Sequence, residues 1–163
     1  MGALKNPSLI LKFRIAMLLF IIGLVLSGVT AFPLLVELRI LSKWMSEIGP
    51  SGLGLWISTI LEGLETTYAS YPWVAYGTDW LAFGHLVIAM FFIHPLIHPR
   101  ASRPNIIAGM VACISIFPLA MICGPIRGIP FYWRLIDCSF GVIGLIPLIY
   151  CLYLLRKMES EPE

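Results

Sequence analysis

Four stretches of the chain stay apolar long enough to cross a bilayer: residues 13–36, 79–97, 105–123 and 135–155. A helical crossing takes roughly 20 apolar residues. Backbone groups in hydrocarbon must find partners inside their own segment, and these stretches exceed the roughly 10-residue strands of a membrane barrel. The pattern predicts an all-α protein, an integral membrane four-helix bundle, with residues 1–163 forming a single transmembrane domain.

The first stretch has a rival reading as a secretion signal. Lys12 and Arg14 precede it, and Val29-Thr-Ala31 fits a small-residue cleavage site. The apolar run is longer than a signal core and continues through Phe32-Pro-Leu-Leu-Val36, which favours an uncleaved first span. Pro33 is placed to kink the end of that span, and residues 38–45 can carry it beyond the bilayer until the run "GPSG" stops it. Within the long connection of residues 37–78, Leu53, Trp56, Ile57, Ile60, Leu61 and Leu64 recur at helical spacing, with Glu62 and Glu65 on another face. That is a short amphipathic helix in the first outer loop, lying on the membrane surface or capping the bundle as a lid. The loop at residues 99–104 is short, so spans two and three should be antiparallel neighbours.

Composition agrees. The chain is 59% hydrophobic and 12% charged, about half the charged fraction of an average soluble domain, and its mean hydropathy is +0.90. A net charge of +2 with no basic run excludes nucleic acid as a partner and leaves membrane lipids, other membrane proteins or a second copy of the chain. Lysine and arginine set the expected orientation. With a cytoplasmic N-terminus, Lys5, Lys12, Arg14, Arg100, Arg103, Arg156 and Lys157 fall inside, and Arg39, Lys43, Arg127 and Arg134 outside. Seven against four favours both termini in the cytoplasm. The same topology puts Trp44, Trp56, Trp73, Trp80 and Trp133 on the outer side, where indoles anchor at headgroup depth.

Gly23, Ser27, Gly28, Gly84, Gly109, Gly141 and Gly144 permit close helix approach, and Pro95, Pro118 and Pro147 suggest bends. Tight packing is a sufficient account of them. No inverted repeat points to a transporter. A channel would need several copies of the chain, because the spans carry no polar stripe through the bilayer.

The usual chemical signatures are missing. Cys113, Cys123, Cys138 and Cys151 form no C-x-x-C, which argues against a dithiol redox centre or a zinc half-site. Cys123 and Cys138 fall near the outer ends of spans three and four, where a structural disulfide is conceivable, but burial as small apolar residues is favoured. His85, His94 and His98 all belong to the second span, so a haem bridged by two histidines would have to be shared between subunits; otherwise no cofactor and no metal are expected. His94 and His98 form one H-x-x-x-H, followed by Pro95 and Pro99, and read best as interfacial polar residues. There is no G-x-S-x-G, no H-E-x-x-H and no glycine-rich phosphate loop.

What remains is an outer cluster. Asp79 is expected to open the second span, with His85 about 9 Å deeper along the axis. Arg127 sits in the third loop, and Arg134 with Asp137 opens the fourth span. Both aspartates then fall in a first helical turn, where the dipole favours a carboxylate. Ionisable groups near hydrocarbon tend to pair, so Asp79 or Asp137 is expected to bond with Arg127 or Arg134. Such pairs, fixing helix ends, are the simpler reading. The functional one is a ligand-binding site of Asp79, His85, Arg127, Arg134 and Asp137, rimmed by Trp80 and Trp133, for an anionic headgroup, a carboxylated metabolite or a quinone-like molecule. Asp79 and His85 are about 600° apart on a helix and should not bond directly.

The segments "YPWVAYGTDWLAFGH" (residues 71–85) and "CGPIRGIPFYWRLIDCSFG" (residues 123–141) resemble those of small four-span bacterial inner-membrane proteins that are uncharacterised. The resemblance extends over most of the chain and implies a bacterial cytoplasmic-membrane location and no particular activity. Cytochrome-b561-like proteins and quinone-coupled disulfide enzymes fit less well, wanting histidines on several helices or paired cysteines. The expected function is a non-enzymatic accessory subunit or binding protein whose outer cluster meets a lipid, a small anion or a partner. The alternative is a membrane enzyme or carrier acting on a lipid-soluble substrate at the same cluster.

Overall fold

A computed structural model describes residues 7–49 and 51–160. Among them the chain is all-α: α1 Pro7–Ala31, α2 Leu34–Ile48, α3 Gly52–Ser70, α4 Ala75–Phe91, α5 Ile93–Ile97, α6 Arg103–Ile126 and α7 Phe131–Glu159, with 3₁₀ turns at Pro72–Val74 and Pro99–Ala101. Four helical segments, Pro7–Ala31, Pro72–Ile97, Arg103–Ile126 and Phe131–Glu159, are long and apolar enough to cross a membrane. Only 22–39% of the most apolar window of each is buried, so most of their apolar surface is left for acyl chains to cover. This is a polytopic membrane protein.

Prolines move the helix boundaries from where hydropathy alone sets them. Pro33 has no N–H for the carbonyl of Val29, and the first span ends at Ala31 instead of running to residue 36; α2 begins afresh at Leu34. Pro72 and Pro130 prefer helix starts, so the second and fourth spans begin earlier than residues 79 and 135. Pro95 interrupts the second span at Phe92, between α4 and α5.

The chain divides into two compact units, one of residues 24–88 and the other of the segments on either side of it; the division falls within α1 and α4. In the flanking unit, α6 and α7 pack along each other more extensively than any other pair of elements. Glycines allow it. A Cβ on Gly141 would sit 2.6 Å from the carbonyl oxygen of Cys113, and one on Gly144 would sit 2.8 Å from Cys113 Sγ. Gly109 admits the Phe92 ring and Leu148, and Phe92 meets Phe20 edge-on with centroids 4.8 Å apart. Phe13, Met17, Ile106, Leu148 and Leu155 complete the core, with Cys151 buried beneath α1 and its Sγ 3.7 Å from Phe13 O. An ion pair between Arg103 and Glu159 joins the start of α6 to the end of α7.

In the unit of residues 24–88, α2 and α3 form a helical hairpin. Gly49, at φ +112°, ends α2 in a conformation that only glycine adopts freely. Ser51 then caps α3, its Oγ accepting from Gly54 N at 3.0 Å. Leu38 and Ile57 are buried, and Arg39 donates to Glu65 at 2.7 Å. The expected short lid is a full 19-residue helix, because its apolar spacing continues past Leu64 to Tyr68, whose hydroxyl lies 3.4 Å from Thr78 Oγ1 on α4. Of the seven small residues in the spans, Gly28 touches α4 at Ala82 O and His85 Cβ, whereas Gly23 and Gly84 meet nothing within 4 Å, so tight packing does not account for those two.

Candidate functional site

The seven candidate residues divide between the two units: Arg127, Trp133, Arg134 and Asp137 lie in the unit that contains α6 and α7, and Asp79, Trp80 and His85 on α4 in the other.

The α6–α7 turn is built from its glycines and prolines. Gly128 takes a left-handed conformation (φ +71°) just past the end of α6. Its N–H donates to Pro125 O at 3.1 Å and that of Ile129 to Gly124 O at 2.9 Å, satisfying carbonyls that the helix end would leave bare. Arg127, the capping residue, is held by its own N–H to Cys123 O and Gly124 O, both at 3.1 Å. Pro130 follows and starts α7. Backbone geometry thus fixes the base of Arg127, while its exposed guanidinium has no hydrogen bond or ion pair among the described residues.

Arg134 is directed differently. Gly124 is buried, and any Cβ there would overlap Arg134 Cδ, so the missing side chain is the slot through which the arginine's stem passes. The guanidinium carbon lies 5.1 Å from the centroid of the Phe131 ring, a cation–π distance. Arg134 Nε is buried with no partner among the described residues. Asp137, one turn further along α7 and half-buried, takes neither arginine. The expected Asp137 pairing with Arg127 or Arg134 is absent: the slot at Gly124 and the Phe131 ring carry Arg134 away, and the end cap of α6 holds Arg127 in the turn. The two ion pairs among the described residues are Arg39–Glu65 and Arg103–Glu159.

The helix-dipole account of the aspartates is also corrected. Because Pro72 and Pro130 move the starts upstream, Asp79 is the fifth residue of α4 and Asp137 the seventh of α7, and neither helix has an acidic residue in its first turn.

On α4, His85 Nδ1 lies 2.8 Å from Leu81 O. A carbonyl only accepts, so this bond requires the proton on Nδ1; in the neutral ring Nε2 is then the acceptor. Asp79 does not bond to His85, as their separation on the helix requires. Trp80, 58% exposed, stands edge-on between Tyr76 and Phe83, both with centroids 5.9 Å away.

All four cysteines are free thiols; Cys123 is exposed and Cys138 buried, so they form no disulfide. The His94 and His98 rings approach to 5.0 Å, and no group of three His, Cys, Asp or Glu side chains gathers among the described residues. The structure also groups residues that spacing did not single out. Arg14, His98 and Arg100 line a cavity of about 300 Å³. Ser42, Ser46, Ser51 and Ser58 line one of about 250 Å³ in the α2–α3 hairpin. Arg14 and Arg100 enter the sequence reading only as charges that set topology; the one hint of more is the rigid "HPRAS" turn between spans. No family model, curated protein or solved structure matches the chain.

Proposed function

We propose that the protein is a non-enzymatic, multi-pass component of a bacterial cytoplasmic membrane, with both termini in the cytoplasm. In this reading it acts as a binding protein or accessory subunit that meets an anionic group at the outer ends of α6 and α7. The observation that carries this is the unspent charge of the α6–α7 turn: among the described residues Arg127 has no partner, Arg134 has a buried and unpaired Nε, and Asp137 bonds to neither. Ionisable groups at membrane depth are costly unless paired. Two arginines left unpaired by their own unit are groups whose partner comes from outside it, on a lipid, a small anion or another protein. Trp133 and Phe131 beside them suit headgroup depth.

Native mass spectrometry of the full chain, extracted with its native lipids, tests this. The wild type should carry anionic adducts, one of which Arg127→Gln weakens and Arg127→Gln/Arg134→Gln removes. Identical adducts on all three would overturn the reading.

His85 supports a second reading, an enzyme or carrier for a quinone- or lipid-like substrate, because its Nε2 is left as a free acceptor by the Nδ1 bond to Leu81 O. That reading requires His85→Phe to abolish substrate turnover or transport while leaving the adduct in place.

A further inference from the structure

We infer that the protein has a second anion site, at the end of α6 and α7 opposite their connecting turn, which takes the phosphate of an anionic lipid headgroup. The site is the cavity of about 300 Å³ bounded by Ile10 and Arg14 of α1, Ile97 of α5, and the His98, Pro99 and Arg100 turn. Its volume is at the lower end of small-molecule pockets and admits a headgroup.

Three features make it a site instead of a scatter of surface charge. Its cations are uncompensated. Arg14 and Arg100 form no ion pair among the described residues, and Glu159, the described carboxylate at this end of α7, is taken by Arg103. Among the described residues the Arg14 guanidinium makes one hydrogen bond, a long one of 3.4 Å to Ile97 O. It orients the fork and leaves its other N–H groups unspent.

The turn that carries Arg100 is also held in shape before any ligand arrives. Pro99 is buried, Ala101 N donates to His98 O at 3.1 Å, and Ser102 N donates to Pro99 O at 3.2 Å. The Ser102 side chain is fully buried and bonds the same Pro99 carbonyl. A ligand here orders little backbone, which lowers the cost of binding.

The chemistry of the lining selects the ligand class. Two guanidiniums present planar donor forks that match phosphate oxygens. Ile10, Ile97 and Pro99 give the same cavity apolar walls, which a free inorganic ion has no use for and a glycerol backbone with its first acyl carbons would cover. Basic pockets between spans near the membrane surface are a recurring form of headgroup recognition. Charges that only set topology would attract anionic lipid through charge alone and would not distinguish arginine from lysine.

The experiment uses the full chain in detergent, with phosphatidylglycerol and phosphatidylcholine offered together and inorganic phosphate offered separately, read by native mass spectrometry. The wild type should retain phosphatidylglycerol over phosphatidylcholine on the order of tenfold. Arg14→Gln/Arg100→Gln should lower that preference several-fold, leaving only what the α6–α7 turn retains, and Lys43→Gln, exposed on α2 and outside both sites, should leave it unchanged. If the glutamine pair fails to insert, Arg14→Lys/Arg100→Lys keeps the charge without the fork and should lower the preference several-fold. Equal retention of the two lipids by the wild type, an unchanged ratio in the variants, or uptake of inorganic phosphate without lipid preference would each overturn the inference.

Discussion

The side-chain amide of Asn105, at the start of α6, donates to the backbone carbonyl of Phe91, at the end of α4, across 3.3 Å. Phe91 is four residues before Pro95, which has no N–H to give, so the second span would otherwise carry a bare carbonyl into an apolar environment. Asn105→Leu removes the donor and keeps the volume. Thermal unfolding in detergent should show a loss of about 0.6 kcal/mol, and no more than ~1.7 kcal/mol, the range for such bonds between membrane helices. Asn105→Asp, an acceptor in place of a donor, should be at least as damaging.

Glycine substitutions should separate packing from propensity. Gly141 faces the Cys113 carbonyl oxygen, which cannot move without unwinding α6, so Gly141→Ala should cost roughly 1–3 kcal/mol as an overpacked contact. Gly84 meets nothing within 4 Å, and Gly84→Ala should be neutral or stabilising by up to about 1 kcal/mol. Resistance to a denaturing detergent would rank the two variants on opposite sides of the wild type.

The spans were legible in the sequence because bilayer crossing is a property of composition over some twenty positions, and no neighbour is needed to see it. The stop at Gly49 follows from local chemistry in the same way, whereas Pro33, expected only to kink a span running to residue 36, ends the first span at Ala31 and starts α2 afresh. Pairings were not legible. Arg103 and Glu159 meet across 56 residues, and Arg39 meets Glu65 because the hairpin brings them together. The direction of Arg134 depends on the absence of a side chain at Gly124, ten residues earlier on another helix. A pairing rule that lets the nearest opposite charges meet has no knowledge of such a slot.

The α2–α3 hairpin should depend on its buried contact more than on its ion pair. Ile57 is 1% exposed, and Ile57→Ala should cost about 2–4 kcal/mol. Arg39 and Glu65 are 59% and 43% exposed, so Arg39→Ala should cost only about 0.2–1 kcal/mol, and less at high salt. Cleavage rates at the hairpin in a limited-proteolysis series should follow that order.

Thiol counting tests the free state of the cysteines. In mild detergent a maleimide should modify one cysteine per chain, Cys123, because Cys113, Cys138 and Cys151 are buried. After denaturation without reductant, four should react. Only two reacting after denaturation would mean that Cys123 and Cys138 are joined after all.

Cysteine accessibility from the two faces of the membrane tests the orientation proposed from the basic residues. Ser46, near the end of α2, and Ser160, just past α7, are both exposed. With both termini in the cytoplasm, a Ser46→Cys variant of the cysteine-free chain should react with a membrane-impermeant maleimide in intact cells. A Ser160→Cys variant should react only once the membrane is opened. The reverse pattern would place Arg14, Arg100, Arg103, Arg156 and Lys157 on the outer side against the charge rule, and would exchange the leaflets assigned to the two arginine pairs. Labelling of both in intact cells would mean an even number of crossings between residues 46 and 160 instead of three, and the four-span topology would have to be revised. Because the α2–α3 hairpin and the end of α7 are expected on opposite faces, three crossings must separate them, which are those of the second, third and fourth spans.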